Sequence, residues 1–279
     1  MAGLFICLHP SRPSLGGTFA PRMKTVELAA RVVGQGPPLV VLHGVFGSGD
    51  NWGTFVKPWQ DRRTLHLLDL RNHGRSPWDG TLDYPHLAAD VARYIEDNAL
   101  GAVQLMGHSM GGKTALHVAA YHPQVVARLA VIDIAPRAYT PHHQAYLAGL
   151  RALDPPTLQN RAQAEERMAR HVANVGIRQF LLKSLARTED GGFTLRLNVD
   201  ALEANIGQVG IAMDAAASIG QPLLFVRGAL SDYISAQDEA DIKARFPQAQ
   251  VATVADAGHW VHVDNPAGLA AELEPFFGL

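Results

Sequence analysis

The stretch VQLMGHSMGG at residues 103–112 indicates how this chain folds. Its first four residues fit a short buried strand, and the run that follows, to Tyr121, is compatible with a helix. Between them stands GHSMG at residues 107–111, a G-x-S-x-G pattern. Glycines on both sides of Ser109 remove the Cβ atoms that would clash in a sharp strand-to-helix turn. The pattern therefore predicts that Ser109 projects its hydroxyl from such a turn as a nucleophile.

On both sides of this turn, short apolar runs alternate with helix-like patterns. Each run is too short for a helix and leads into residues that favour turns. The alternation is typical of an α/β fold with a mostly parallel central sheet flanked by helices. The candidate strands are Leu39–Leu42, Thr64–Leu68, Val103–Leu105, Leu129–Ile134, Leu223–Val226 and Val251–Val254.

The alternation is interrupted between residues 137 and 221. This segment shows helix-like patterns at 163–175 and 179–185 and no buried strand. We interpret it as a mostly helical insertion that forms a cap over the site. The core is then expected to consist of residues 23–136 and 222–279.

Composition excludes several classes of protein. The formal net charge is -2, so no basic field exists to bind nucleic acid. No apolar run approaches the roughly 18 residues of a membrane span, so no transmembrane helix is expected. The one cysteine, Cys7, rules out an internal disulfide and favours a reducing compartment, so we expect a cytoplasmic protein. The sequence leaves its oligomeric state open.

Residues 1–22 do not share the pattern of the rest. The apolar run at 3–8 is short and has no basic residue before it, which makes a poor secretory signal. Proline, glycine and serine follow without periodicity. We expect a disordered extension here, or a functional start at Met23.

A serine nucleophile needs a base and an acid, and in folds with this strand–turn–helix arrangement they follow the serine in the order acid, histidine. His259 lies in Ala257-Gly258-His259-Trp260, after the last predicted strand and before the final helix. A histidine in such a tight loop can reach back to Ser109, and we predict that it is the base. The other histidines lack the spacing of metal ligands, including His142-His143 and His262, so no metal site is expected.

Two aspartates are candidates for the acid. Asp133 ends one predicted strand just before the cap, and Asp232 follows the next core strand. Either carboxylate could orient His259 and stabilise its imidazolium. Strand order alone favours Asp232.

The oxyanion formed during acyl transfer needs two backbone N–H groups. One is expected from Met110, directly after the nucleophile, and the other from Val45 in the loop HGVFG at 43–47. Phe46 and Trp260 are candidates for lining an apolar acyl pocket, although each fits core packing equally well.

These motifs resemble the α/β-hydrolase superfamily, in the branch of small bacterial YbfF-type esterases and their mitochondrial relatives. The resemblance covers roughly residues 24–279. Some members place the acid at the position matching Asp133, whereas much of the superfamily uses the position matching Asp232. The resemblance also implies hydrolysis of short and medium acyl esters, and in some members of acyl-CoA thioesters. The matching segments are 42–48, 50–52, 69–76, 107–113, 133–136 and 258–260.

We therefore expect a serine carboxylesterase or thioesterase that works through an acyl-enzyme and needs no cofactor. A carbon–carbon bond hydrolase, a lactonase and a perhydrolase share the same serine machinery and stay as alternatives. A non-catalytic small-molecule receptor on the same fold is a further alternative, and the intact Ser109 and His259 argue against it. The sequence does not identify the physiological substrate.

Overall fold

A computed structural model describes residues 23–140 and 142–279. The expectation for residues 1–22 lies outside these ranges. Seven strands form one central sheet, and two more form a separate hairpin. The strands are β1 (Ala30–Gly34), β2 (Pro38–Leu42), β3 (Thr64–Leu68), β4 (Val103–His108), β5 (Val126–Ile132), β6 (Leu185–Arg187), β7 (Phe193–Leu195), β8 (Leu223–Gly228) and β9 (Gln250–Val254).

The central sheet has the strand order β1-β3-β2-β4-β5-β8-β9, and only β1 runs antiparallel to its neighbour. The interior strands are nearly continuous apolar runs because helices cover both faces of the sheet. Strand β4 lies between β2 and β5. Its carboxyl end, which carries the GHSMG turn, therefore stands at the middle of the sheet edge.

Nine α-helices lie in the described residues. They are α1 (Tyr84–Asp97), α2 (Met110–Tyr121), α3 (Gln144–Ala152), α4 (Arg161–Ala169), α5 (Val175–Leu182), α6 (Val199–Val209), α7 (Ala236–Arg245), α8 (Val261–Asp264) and α9 (Pro266–Phe277). The last one is capped by Asn265, whose side chain accepts a hydrogen bond from Gly268 N–H. None of these helices is long and apolar enough to cross a bilayer.

The sequence prediction of a mostly parallel α/β sheet is confirmed, and all six candidate strands exist with small changes at their ends. Two features were missed. The edge strand β1 is only partly buried, so it lacks the continuous apolar pattern of the inner strands. Strands β6 and β7 are three residues each and lie inside the segment that was expected to be helical.

Between β5 and β8 the chain leaves the sheet and forms α3 to α6 and the β6–β7 hairpin. Lys113 of α2, which is fully buried, contacts both ends of this segment. Its Nζ donates to the carbonyl oxygens of Arg137, at the beginning, and of Ile211, at the end. Burial lowers the pKa of Lys113 to about 7. The segment is therefore held at both ends by one side chain of the helix that follows Ser109.

Candidate active site

Ser109 occupies a strained turn between β4 and α2. Its φ of 54° and ψ of -120° are sparsely populated for a residue with a side chain. The neighbouring glycines are required by close backbone approach. A Cβ at Gly107 would lie 2.2 Å from the Gly111 carbonyl oxygen, and one at Gly111 would lie 2.5 Å from the His43 carbonyl oxygen. These contacts explain why the turn has the sequence GHSMG, and they hold the Ser109 side chain at the edge of the sheet.

His259 is hydrogen-bonded to Asp133, with 2.8 Å between Nδ1 and a carboxylate oxygen. An ionised carboxylate only accepts hydrogen bonds, so in the neutral imidazole this contact places the proton on Nδ1 and leaves the lone pair of Nε2 free. Asp133 is fully buried and directly follows β5. Its carboxylate also accepts hydrogen bonds from Gly228 N–H, at 3.0 Å, and from the Ser231 hydroxyl. Three donors therefore fix the position of the carboxylate that orients His259.

The preference for Asp232 does not fit this geometry. Asp232 is exposed, and its side chain takes part in no hydrogen bond or ion pair with the described residues. The preceding residue, Ser231, points instead at Asp133. Strand order favoured the loop after β8, whereas the carboxylate that is hydrogen-bonded to His259 follows β5, the neighbouring strand in the sheet.

The loop after β2 is arranged so that one of its N–H groups stays available to the cavity. Phe46 has a left-handed φ of 63°, and its N–H donates to His73 Nε2 at 3.2 Å. Val45, which lines the cavity, has no such partner for its N–H among the described residues. Met110 opens α2, where the first N–H groups have no partner within the helix. These two N–H groups are the ones predicted for the oxyanion.

Two buried histidines brace that loop in their neutral form. His73 donates from Nδ1 to the Arg71 carbonyl oxygen at 2.8 Å, and burial lowers its pKa to about 3. His43 donates from Nδ1 to the Gly44 carbonyl oxygen at 2.7 Å and accepts from Leu70 N–H at 3.0 Å, and burial lowers its pKa to about 4. Each ring thus uses one nitrogen as donor and the other as acceptor.

His108 supports the loop of the base. Its Nε2 lies 2.7 Å from the His259 carbonyl oxygen, and burial holds the pKa of His108 well below its usual range. A neutral ring that meets a carbonyl oxygen must donate, so the Nε2 carries the proton. The residue before the nucleophile therefore fixes the backbone of the residue expected to serve as the base.

A cavity of about 220 Å³ lies in front of Ser109 and His259. Phe46 and Trp260 both line it, and Phe180 of α5 lies 5.6 Å from Trp260 between ring centroids. Phe46 also packs in the main core, so it fits both interpretations of the sequence. The remaining lining residues are His43, Gly44, Val45, Asn51, Trp52, His108, His142, His143, Tyr146, Ile177, Leu181, Tyr233 and His262.

Tyr233 was not predicted from the sequence. Its ring stacks on His259 at 3.8 Å with an interplanar angle of 15°. The stack limits rotation of the imidazole from the face, while Asp133 fixes it from the edge. The position of Tyr233, after Ser231 in the loop that follows β8, gave no signal because only the folded loop brings the ring to His259.

The cap segment supplies further lining residues that the sequence did not single out. Tyr146 comes from α3, and Ile177 and Leu181 come from α5. On the opposite wall Trp52 stacks on His262, with 4.2 Å between their centroids. Within residues 23–140 and 142–279 no three His, Cys, Asp or Glu side chains are grouped so that they could hold a metal ion.

Comparison with known proteins identifies the family of the chain. A family model described as "Alpha/beta hydrolase family" matches residues 39–272. The mouse sn-1-specific diacylglycerol lipase ABHD11 is 38% identical over 238 residues, which are 82% of this chain and 77% of that protein. Esterase YbfF of Escherichia coli K12 is 35% identical over 230 residues, covering 82% of this chain and 88% of that protein.

A solved structure is similar over nearly the whole chain. The structure titled "Marine microorganism esterase" superimposes with a TM-score of 0.86 at 38% identity, and the match covers 90% of this chain and all of that one. The chain therefore belongs to the alpha/beta hydrolase family. Within that family it is a hydrolase of the carboxylesterase type, similar to YbfF.

Proposed function

We propose that this protein hydrolyses carboxylic esters through an acyl-enzyme formed on Ser109. The observation that carries the proposal is the buried hydrogen bond between Asp133 and His259, beside a cavity that a strained Ser109 also lines. Asp133 keeps the proton on Nδ1, so that Nε2 of His259 can act as the base. The names of the mouse and E. coli relatives, a lipase and an esterase, support the same class of reaction.

In the first half of the proposed reaction, His259 Nε2 removes the proton of the Ser109 hydroxyl as Oγ attacks the ester carbonyl. The N–H groups of Val45 and Met110 stabilise the negative charge on the carbonyl oxygen. Collapse of the intermediate breaks the bond to the leaving group, which takes the proton from His259. A water molecule then attacks the acyl-enzyme in the same way and releases the acid.

The cavity favours an apolar acyl group of short to medium length. Its walls include Phe46, Trp260, Phe180, Ile177 and Leu181, which offer apolar surface to an acyl chain. A thioester offers the same carbonyl chemistry and belongs to the proposal. Specificity for chain length would be set by the cap, since α3 and α5 supply part of the wall.

Three other features of the proposal come from the sequence. The division into a core and a cap at residues 137–221 is kept as a working boundary. A cytoplasmic location is inferred from the single cysteine and is testable by fractionation of the native cell. The serine mechanism itself uses only side chains, backbone N–H groups and water, so the proposal includes no cofactor.

The proposal is tested with 4-nitrophenyl esters from acetate to laurate and with a fluorophosphonate probe. We expect Ser109→Ala to lower kcat/KM by at least about 10⁴-fold, because the nucleophile is removed. The probe should add its mass to the peptide that contains Ser109 in the unmodified protein only. Ser218→Ala, at an exposed serine, is the matched control and should behave like the unmodified protein. Turnover or labelling that survives in Ser109→Ala would overturn the assignment.

A further inference from the structure

A second cleft, of about 340 Å³, adjoins the catalytic cavity. The two spaces share Phe46 and Asn51 as lining residues. One side of the cleft is formed by the core loops at 47–51 and 74–75, and the other by the cap around α5 and the β6–β7 hairpin. A molecule bound at Ser109 could therefore extend past Phe46 into this cleft.

Backbone hydrogen bonds fix the two sides of the cleft against each other. Gly74 N–H donates to the Arg196 carbonyl oxygen at 2.8 Å, and Arg196 N–H donates to the Ser184 carbonyl oxygen at 2.9 Å. An isolated antiparallel β-bridge also joins His73 to Leu197. These hydrogen bonds hold the cleft in a defined shape at the junction between core and cap.

Positive charge dominates the cleft although the whole chain carries a net charge of -2. Its lining contains four cationic side chains, Arg75, Arg161, Lys183 and Arg196, and one carboxylate, Asp50. Asp50 pairs with Arg75 at 2.9 Å. The other three cations are exposed and have no ion pair with the described residues.

The charge of Lys183 extends to the catalytic cavity. Lys183 directly follows α5, whose Ile177, Phe180 and Leu181 line that cavity. His262, on the cavity wall, has its pKa lowered to about 3, first by burial, then by His259 and then by Lys183. Lys183 therefore lies close enough to the wall of the catalytic cavity for its charge to act on His262.

We propose that this cleft binds an anionic group of the substrate, a carboxylate or a phosphate that lies beyond the ester bond cleaved at Ser109. The inference rests on the proposed function and narrows its substrate class to esters with an apolar acyl portion and an anionic end. Arg161 donates to the carbonyl oxygens of Leu182 and Leu185, so its charge is positioned without being neutralised. Lys183 and Arg196 are then free to pair with the anion.

The experiment compares matched substrates that differ in one anionic group. For an anion on the acyl side, the pair is mono-4-nitrophenyl glutarate and 4-nitrophenyl valerate. For an anion on the leaving-group side, the pair is 1-butyrylglycerol 3-phosphate and 1-butyrylglycerol. In at least one pair, we expect the unmodified protein to have the higher kcat/KM for the anionic member, and the preference should decrease as salt is added. The pair that responds identifies the side on which the anion lies.

The double variant Lys183→Gln/Arg196→Gln should reduce kcat/KM for that anionic ester about tenfold and leave its neutral partner within about twofold. Lys183→Arg should keep the preference, because it keeps the charge. Arg187→Gln is the control, since Arg187 is an exposed cation of the same hairpin that packs on Phe193 outside the cleft.

Two results would overturn the inference, and they are distinguishable. Hydrolysis that depends on Ser109 but shows no preference for either anionic ester, or a preference that the double variant retains, overturns the cleft assignment alone. Absence of hydrolysis that depends on Ser109 for every ester tested overturns the proposed function and the inference together.

Discussion

The loops that follow β5 and β8 leave neighbouring strands of the sheet, and each carries an aspartate. Asp133 comes directly after β5, is fully buried and receives three hydrogen bonds. Asp232 lies further along its loop, is exposed and receives none from the described residues. The β8 loop instead contributes Ser231 and Gly228 N–H to the first carboxylate.

The comparison shows that a position in a loop after a strand is not enough to make an aspartate the hydrogen-bond partner of His259. The carboxylate must also be held by donors, because a buried anion without hydrogen bonds is costly. One loop supplies the anion and the other supplies the donors that stabilise it. The three predictions below test this division, from the largest expected effect to the smallest.

Replacing Asp133 by asparagine should have the largest effect. The amide of Asp133→Asn can donate to His259 Nδ1, which moves the proton to Nε2 and removes the base for Ser109. We expect kcat for 4-nitrophenyl butyrate to fall about 10⁴-fold, with far-ultraviolet circular dichroism unchanged. A loss below about tenfold in a folded variant would mean that Asp133 is not the acid.

Removing the donor from the other loop should have an intermediate effect. Ser231→Ala deletes the hydroxyl that donates to Asp133, so the carboxylate is held by fewer groups and orients His259 less well. We expect kcat to fall about tenfold with KM nearly unchanged. Ser231→Thr keeps the hydroxyl and should recover most of the rate. Equal losses in the alanine and threonine variants would instead indicate a packing role.

Changing Asp232 should have the smallest effect. An exposed carboxylate without hydrogen-bond partners contributes little to stability or orientation, so Asp232→Asn should leave kcat/KM within about twofold. The melting temperature should also be unchanged. A large fall in kcat with this variant, at normal stability, would restore Asp232 as a candidate acid and contradict the division between the two loops.

The sequence predicted those parts of the molecule that are determined locally. The turn at Ser109 is one of them, since Gly107 and Gly111 are required by contacts within the turn and with the adjacent strand β2. The inner strands are another, because burial on both faces makes their sequences continuously apolar. His259 could be located because its loop falls between the last strand and the last helix.

The choice between the two aspartates could not be made from the sequence, because it depends on which side chains meet across two loops. The role of Tyr233 could not be predicted for the same reason, since its stack on His259 exists only in the folded protein. The cap contributions of Tyr146 and Ile177 depend on how α3 and α5 pack over the sheet. Helical periodicity predicts that such residues are buried, but it does not identify the residues against which they pack.

Lys113 gives the cap a property that matters for protein engineering. Because the buried Nζ of Lys113 donates to the carbonyl oxygens of Arg137 and Ile211, the beginning and the end of the segment between β5 and β8 meet at one side chain of α2. The segment between these two residues is therefore a unit whose two ends are fixed at one position on α2. This segment can be exchanged for the corresponding segment of a related esterase, provided that Lys113 and the two carbonyl positions are retained. We expect such an exchange to transfer substrate specificity and to leave the turn at Ser109 unchanged.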